Sequence, residues 1–260
     1  TSELVSATVH NIYTLRGAQV RDAHNWSKQV ALTLYKFGQE AEVMFASHSW
    51  PRWGNARVQE VLRAQRDAYA NLNNQVLHYA NQGVTINEIH NEYRVPESLQ
   101  QHWPARSYHG SVAHNARAVV NRYLGYWDGN PTTLMPLSPD DSAPLYVELM
   151  GGAAPILAKG GELLEAGQYL LATEILDKLV HAEPGNVEAR QLLADAFEQI
   201  GYQQESPSVR NSFLAAALEL RSGIPDGVAP KSSGPDLTRA LSTGQVLDFL
   251  GIRLRSEDAV

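Results

Sequence analysis

The amino-acid sequence predicts a mainly helical chain that begins with a short α/β segment. Two patterns in its 260 residues support this fold class. From residue 58 onward, apolar side chains recur every three or four positions, which is the spacing that forms one buried face of a helix. Before residue 58, the stretch VHNIYTL alternates in the manner of a strand, and the run EVMFASH is short and apolar.

The α/β segment is predicted to contain one helix between two strands. That helix runs from Asp22 to Phe37, with Asp22 as its N-cap and Gly38 as the glycine that stops it. Its buried face is expected to comprise Trp26, Val30, Leu34 and Phe37. The second strand is expected to end at a loop over residues 48–54, which a proline and a glycine punctuate.

The helical block is predicted to contain a series of amphipathic helices. Thr85 is the expected N-cap of one of them, and Glu88 three positions later completes a capping box. Glycine, proline and histidine–glycine pairs mark the turns between helices. The predicted helices cover residues 58–82, 85–93, 111–127, 143–152, 155–166 and 206–223.

Residues 167–202 predict a hairpin of two helices that resembles a tetratricopeptide unit. The positions at the spacing of that repeat are Gly167, Tyr169, Ala172, Pro184, Asn186 and Ala189. A peptide-binding groove needs several repeats, and only one unit is convincing here. We therefore expect this hairpin to be buried against its own domain or against a partner subunit.

The C-terminal part is predicted to be a linker followed by one helix. Residues 224–236 are rich in proline, glycine and serine, which is typical of a linker. Leu237 to Leu254 is predicted to be a single amphipathic helix. One helix after a linker has no core of its own, so it is expected to be the opening of a further domain.

Composition limits the classes of partner and metal site. The formal charge of -7 and the pI of about 5.7 disfavour nucleic acid and anionic membranes, because both reward clustered positive charge. The absence of cysteine excludes disulfides and thiolate zinc sites, so any metal must bind histidine and carboxylate ligands. No apolar run approaches the roughly 18 residues that a membrane span needs, and we expect none.

Residues that could perform chemistry are concentrated between positions 3 and 53. Histidine and carboxylate side chains are zinc ligands, and an arginine fork matches the oxygens of a sulfate or phosphate. Together they are the groups with which an enzyme grips such an anion and delivers a water to it. The candidates are Glu3, His10, Asn11, Arg16, Arg21 and His48.

Each main candidate also has a purely structural alternative. His48 could be a buried histidine with satisfied hydrogen bonds, and Arg16 could form an ion pair with Asp22. His109 and His114 flank the start of a helix, and a structural role is expected for both, although their motif HGSVAHN could also border a substrate tunnel. The tryptophans and tyrosines are expected to be anchors of the core or of an interface.

Five long motifs resemble those of the zinc-dependent alkylsulfatases. They are HNIYTLRGAQVRD, SHSWPRWGN, HGSVAHNARAVVNRYLGYWDGNP, YVELMGGA and LLADAFEQIGY. Members of that family carry a metallo-β-lactamase-like catalytic domain, a helical dimerisation domain and a sterol-carrier-like domain. The resemblance implies that residues 1–57 end the catalytic domain, 58–223 form the dimerisation domain, 224–236 are a linker, and 237–260 begin the sterol-carrier-like domain.

The resemblance also implies a site with two zinc ions. Glu3 matches the position of a bridging glutamate ligand and His48 that of a late histidine ligand. Arg16 matches the residue that binds the sulfate group, with Arg21 as a weaker candidate, while the neighbouring histidine and asparagine at positions 10 and 11 could line the site. The HxHxDH metal motif of the family is absent from this sequence, which suggests that the chain is a C-terminal portion of its parent.

The implied function is zinc-dependent hydrolysis of alkyl sulfate esters, such as dodecyl sulfate, to alcohol and sulfate by the parent enzyme. A homodimer through the helical domain is expected. Two alternatives remain open at this stage. The chain could be a helical dimerisation module that is not catalytic in isolation, or a tetratricopeptide-like adaptor.

Overall fold

A computed structural model describes residues 1–227 and 234–255, and the chain divides into two compact units, Thr1–Arg221 and Ser222–Val260. Among the described residues there are 13 α-helices and one two-stranded sheet, so the prediction of a mainly helical chain is confirmed. The elements are α1 Ala23–Phe37, β1 Val43–Ala46, β2 Ser49–Trp53, α2 Asn55–Asn81, α3 Ile89–Glu92, α4 Glu97–Gln100, a 3-10 turn Trp103–Ala105, α5 Val112–Leu124, α6 Pro131–Leu134, α7 Pro139–Leu149, α8 Ala153–Glu165, α9 Tyr169–Ala182, α10 Val187–Tyr202, α11 Pro207–Ser222, α12 Pro235–Ala240 and α13 Thr243–Arg253.

The first 22 residues form neither a helix nor a strand, so the strand predicted for VHNIYTL is wrong. The physical reason is that their backbone groups bond to loops and side chains instead of to a neighbouring strand. The N–H of Val9 donates to the carbonyl of Arg106, and the N–H of His10 donates to the hydroxyl of Tyr69. Residues 5–12 are buried without interruption, so sequence alternation does not correspond to an inner and an outer face.

Helix α1 follows the predicted boundaries closely. The side chain of Asp22 accepts a hydrogen bond from the N–H of Asn25, which confirms the predicted N-cap. At the other end, the N–H of Gly38 donates to the carbonyl of Leu34 and ends the helix. The cap and the stop were predictable because both depend on residues within four positions of the helix end.

The predicted apolar strand forms β1, and it pairs with a second strand that was not predicted. The antiparallel register pairs Val43 with Trp53 and Ala46 with Ser49, with an irregularity between them. A loop was expected over residues 48–54, but β2 occupies most of it because a tight turn at His48 returns the chain onto β1. His48 has a left-handed backbone, with φ of 66°.

The first hydrophobic core lies between the N-terminal segment, the sheet and helices α1, α2, α3 and α5. Its largest fully buried side chains include Ile12, Leu62 and Tyr69. The ring of Tyr69 stacks on Trp26 of α1, with ring centroids 4.8 Å apart. This core also contains buried polar side chains, namely Ser6, Thr8, His10, Asn11, Thr14, Ser27, Gln65, Asn73 and Asn115.

Two predicted helices of this region are shorter than expected. The helix predicted over residues 85–93 covers only Ile89–Glu92, although Glu88 accepts the predicted hydrogen bond from the N–H of Thr85. Helix α5 is capped by Ser111, whose hydroxyl accepts from the N–H of His114, but it ends at Leu124 and not at residue 127. Gly125 ends it because its φ of 83° lies outside the helical region.

A second hydrophobic core is formed by helices α7 to α10. Residues 167–202 form the predicted helix hairpin, in which Asn186 caps α10 by accepting from the N–H of Ala189. Helix α9 packs against α7, α8 and α10, so the hairpin is part of its own domain. Its tetratricopeptide-like character stays a prediction. The buried members of this core are Val147, Ile156, Ala172, Leu176, Leu179, Ala189, Leu193 and Ala196.

The described residues of the second unit contain two short helices, so the prediction of one helix over residues 237–254 is wrong. Leu241 has an extended backbone, and Ser242 then starts α13 with a capping box that involves Gln245. Part of the predicted linker, residues 228–233, lies outside the described residues, and α12 begins within its remainder. No helix among the described residues is both long and apolar enough to span a membrane.

Candidate active site

Three histidines from distant parts of the sequence meet in the first unit. His10 comes from the irregular N-terminal segment, His48 from the turn between the two strands, and His109 from the loop that precedes α5. One nitrogen of each ring lies within 4.8 Å of the others. The rings of His48 and His109 stack with centroids 3.9 Å apart, and the ring of His10 lies 4.4 Å from that of His109.

Glu3 supplies a carboxylate to this cluster. The Nε2 atom of His48 donates to Glu3 Oε1 at 3.1 Å, and this hydrogen bond is the main reason why the pKa of Glu3 lies below its usual value. The second oxygen, Oε2, lies 3.8 Å from Nε2 of His10 and 3.8 Å from a guanidinium nitrogen of Arg21. An ionised carboxylate therefore faces imidazoles on one side and a guanidinium on the other.

Burial keeps two of the imidazoles neutral. His10 is only 2% exposed, and burial lowers the pKa of its ring. Burial, followed by the neighbouring charges of His10 and His48, lowers the pKa of His109 to about 4. Neutral imidazole has a free lone pair, which is the form that binds a metal ion.

The donor set fits a divalent metal ion of the zinc type. The Nε2 atom of His10 is buried and has no hydrogen-bond partner among the described residues. A buried polar atom without a partner costs free energy, so this nitrogen is available to bind a ligand in the cleft. Imidazole nitrogens with a carboxylate oxygen are ligands that zinc binds, and His10, His48, His109 and Glu3 are the residues here that could hold it.

The turn that carries His48 into this cluster has a strained backbone. A left-handed backbone is uncommon for residues other than glycine, although histidine adopts it more often than most, and it costs free energy. At this turn it directs the imidazole toward Glu3 and His109. Backbone strain of this kind is typical of functional sites, where the surrounding structure maintains it.

Two arginines line the same cleft. Arg21 donates to the carbonyl of Asn11 at 2.8 Å and also approaches Glu3. Arg16 is exposed and forms no ion pair among the described residues. The alternative ion pair between Arg16 and Asp22 is not formed, because Asp22 pairs with Arg122 at 3.0 Å.

The cleft has a volume of about 520 Å³. One wall consists of the N-terminal segment, and another is a face of α11. All six residues predicted from the sequence line it, although they span positions 3 to 48. The full lining comprises Glu3, His10, Asn11, Thr14, Leu15, Arg16, Arg21, His48, His109, Ser208, Asn211, Ser212 and Ala215.

Sequence reasoning missed the participation of His109, for which a structural role was expected. The available signal was Gly110, since a glycine neighbour lets two backbones approach each other closely. A Cβ atom at Gly110 would lie 2.6 Å from the carbonyl carbon of His10. His114, by contrast, lies 3.0 Å from the carbonyl of Tyr13 and is not a member of the cluster.

The fold and the cleft together define a helical domain that carries a histidine–carboxylate cluster beside two arginines. Residues 85–223 match the family described as alkyl sulfatase dimerisation. This match covers more than half of the chain, and the chain belongs to that family.

Similarity to curated alkylsulfatases extends over almost the whole chain. A linear primary-alkylsulfatase of Pseudomonas sp is 42% identical over 251 residues, which is 96% of this chain and 37% of that protein. An alkyl/aryl-sulfatase of Saccharomyces cerevisiae is 40% identical over 259 residues, which is 99% of this chain and 40% of that protein.

Similarity to a solved structure covers the same span. The structure of a stereoselective inverting sec-alkylsulfatase from Pseudomonas sp. superimposes with a TM-score of 0.95 at 41% identity, covering 100% of this chain and 41% of that chain. The chain thus spans 37% to 42% of the length of the curated relatives that it matches.

Proposed function

We propose that the chain forms part of a hydrolase that converts alkyl sulfate esters, such as dodecyl sulfate, to alcohol and sulfate. The observation that carries this proposal is the convergence of Glu3, His10, His48 and His109 beside Arg16 and Arg21 in one cleft. The relatives over the same residues are alkylsulfatases by name. A metal-binding donor set next to cationic anion-binding groups is suited to attack on a sulfate ester.

The proposed cofactor is zinc, with two ions in the intact parent. Glu3 and His48 are the proposed ligands from the sequence, and the orphaned nitrogen of His10 and the stacked ring of His109 extend that set. Zinc, when bound, supplies a Lewis acid and a water of lowered pKa. The HxHxDH motif does not occur in these 260 residues, so the remaining ligands of a two-zinc site would come from elsewhere.

The residues of this chain have separate proposed tasks at the substrate. Arg16, whose guanidinium has no carboxylate partner among the described residues, binds two oxygens of the sulfate group and offsets charge on the leaving group. Arg21 holds the carbonyl of Asn11 and the carboxylate of Glu3 in place. An alkoxide is a poor leaving group, so protonation or a nearby cation must lower the barrier.

The proposed architecture of the parent follows the family pattern. Residues 1–57 would end a metallo-β-lactamase-like domain, residues 58–223 would form the dimerisation domain with its tetratricopeptide-like hairpin, and residues 237–260 would begin a sterol-carrier-like domain. The proposed partner of the helical domain is a second copy of the same protein, in line with the description of the matched family.

Metal analysis and hydrolysis of dodecyl sulfate test the proposal together. Purified chain is dialysed with zinc, its bound metal is measured, and release of sulfate is followed. We expect stoichiometric zinc that is lost in a Glu3→Gln, His48→Asn double variant, with His24→Asn as a control on an exposed histidine of α1. Absence of zinc from the chain, and from a longer form with its upstream residues, would reject the proposed site.

A second candidate function is that of a helical dimerisation module without catalysis. The match of residues 85–223 to a dimerisation family favours it. Sedimentation equilibrium tests for the dimer, which both candidates predict. The zinc and sulfate measurements separate the two candidates, because a module alone predicts a dimer that neither binds zinc nor releases sulfate. The adaptor alternative gains no support, since α9 packs against α7, α8 and α10 within its own domain.

A further inference from the structure

We propose that Asn115 of α5 is a positioning residue of the candidate site. It is fully buried. Its Nδ2 donates to the carbonyl of His10 at 2.8 Å, and its Oδ1 accepts from the N–H of Ile12 at 2.8 Å. One side chain thereby spans the backbone on both sides of Asn11 and fixes the conformation in which His10 and Asn11 reach the cleft.

These two hydrogen bonds of Asn115 replace the backbone hydrogen bonds that a neighbouring strand would give. The N-terminal segment has no sheet partner, yet its backbone groups are buried and must be paired. A primary amide has both a donor and an acceptor, so Asn115 can satisfy a carbonyl and an N–H two residues apart. Tyr69 adds a third contact by accepting from the N–H of His10 at 2.9 Å.

The fixed backbone determines where the chemical groups lie. The carbonyl of Asn11 receives the guanidinium of Arg21 at 2.8 Å, and Arg21 in turn approaches Glu3. The ring of His10 is held between His109 and Trp26, with its Nε2 directed at Glu3. A shift of the backbone at His10 would therefore disturb the carboxylate, the imidazoles and one arginine together.

The same stretch of α5 also fixes His109. Asn115 lies in the first turn of the helix, where its N–H donates to the carbonyl of the N-cap Ser111 at 2.8 Å. Immediately before this turn, the N–H of Gly110 donates to the carbonyl of Val9 at 2.6 Å. The region that matches a dimerisation family thus contributes His109 to the candidate site and orients the segment that carries His10.

A buried asparagine could instead serve stability alone, and Asn73 provides the comparison. Asn73 is a buried residue of α2 that accepts from the hydroxyl of Tyr123 at 3.1 Å and donates to Asn74. It is absent from the lining of the cleft and bonds to none of its residues among those described. Loss of either amide should lower stability, but only loss of Asn115 should change the site.

The inference rests on the proposed function for the identity of the ligand, and the experiment separates the two. Asn115→Leu and Asn73→Leu each replace a buried amide by an apolar side chain of similar size. The first measurement is the carbon–proton NMR signals of the histidine rings in zinc-free protein at pH 8. The second is the zinc dissociation constant, obtained by competition with a chromophoric chelator.

We expect Asn115→Leu to move the ring signals of His10 and His109 and to weaken zinc binding about tenfold or more, as loss of a group that orients ligands does. Asn73→Leu should lower the melting temperature while leaving both measurements as in the wild type. Asn115→Ala, which removes both contacts without adding a branched side chain, serves if the leucine variant does not fold.

Unchanged ring signals in both Asn115 variants would overturn the positioning role, as would equal changes in Asn73→Leu. A wild-type chain that binds no zinc would count against the proposed cofactor only. The NMR comparison still decides the role of Asn115 in that case, because it requires no metal.

Discussion

The two hydrophobic cores of the first unit are built on different principles. The core around α2 encloses His10, Asn11, Gln65 and Asn115 among its aliphatic and aromatic side chains. The core of α7 to α10 is aliphatic, and among the described residues no polar side chain between positions 139 and 202 is buried. Buried polar groups are costly unless they are paired, and the candidate site lies in the core that bears this cost.

This difference shows which core contributes only to stability and which core also supports the candidate site. The second core consists of helices that pack on helices one or two elements away in the sequence, as α9 does on α7, α8 and α10, so its contribution is stability. The first core uses side-chain hydrogen bonds to hold an irregular segment, as between Asn115 and Ile12, which are 103 positions apart. Changes to the second core should therefore alter stability without altering the cluster, while changes to the first should alter both.

The largest expected effect is a cavity in the second core. Leu176 of α9 is fully buried, and Leu176→Ala should lower the free energy of unfolding by about 2–5 kcal/mol. Urea denaturation of zinc-free protein measures the change, with Leu171→Ala as a control on an exposed leucine of the same helix. The ring signals of His10, His48 and His109 in the folded variant should match the wild type, and a change in them would refute the proposed separation.

The next largest effect on stability is a steric clash where the loop before α5 approaches the N-terminal segment. A Cβ atom at Gly110 would lie 2.6 Å from the carbonyl oxygen of His10 and 2.9 Å from the nitrogen of Asn11, so the backbone must shift. Gly110→Ala should cost about 1–3 kcal/mol of stability and should also move the ring signals of His10 and His109.

The matched control for this substitution is Gly161→Ala in α8. A Cβ atom at Gly161 meets nothing within 4 Å, and alanine favours a helix over glycine by roughly 0.5–1 kcal/mol. This variant should therefore be more stable than the wild type, with unchanged ring signals. A Gly110→Ala protein as stable as the wild type would contradict the close approach of the two loops.

The same contrast explains which features the sequence could predict. The N-cap predicted at Asp22 forms, because a helix start depends on residues within about three positions. The conformation of residues 1–22 depends on partners 59 to 105 positions away, such as Tyr69 and Asn115, which no local pattern reveals. Alternation predicted a strand there. Alternation indicates a strand only when one face of the segment is exposed, and residues 5–12 have no exposed face.

The candidate site was predictable in part for a related reason. The six predicted residues lie in a short stretch of sequence whose motifs could be compared with a family, and they line one cleft. His109 lies far from that stretch, and the histidine–glycine pair was interpreted as a turn before a helix. That interpretation was correct for the backbone, since Ser111 does cap α5, but it gave no information about where the ring points.

A smaller effect is the dependence of stability on pH. In the unfolded chain the pKa of a histidine is about 6.5. In the folded chain the pKa of His109 is lowered to about 4, and the pKa of His10 is also lowered. Between these values the unfolded state binds more protons than the folded state, so stability rises with pH. We expect the free energy of unfolding of zinc-free protein to decrease as pH falls from 6.5 toward 4.

A His109→Asn variant isolates the contribution of the cluster. It should show a shallower dependence of the unfolding free energy on pH across this window, because one of the shifted groups has been removed. His24→Asn, which removes an exposed imidazole of α1 from outside the cluster, is the matched control. Equal slopes in the wild type and in His109→Asn would show that the ring is not buried as described.

The smallest expected effect on stability belongs to Arg16, where function and folding should separate most clearly. Arg16 is exposed, and no ion pair among the described residues depends on it, so Arg16→Ala should change the free energy of unfolding by no more than about 0.5 kcal/mol. Its guanidinium lines the same cleft as Glu3 and His48, so sulfate should bind about tenfold more weakly without it, as expected for loss of a charge-assisted hydrogen bond. Arg63→Ala on α2, which removes an arginine that donates to Gln59, is the control and should bind sulfate as the wild type does. Sulfate affinity that survives Arg16→Ala would transfer the anion-binding role to Arg21, the other guanidinium of the cleft.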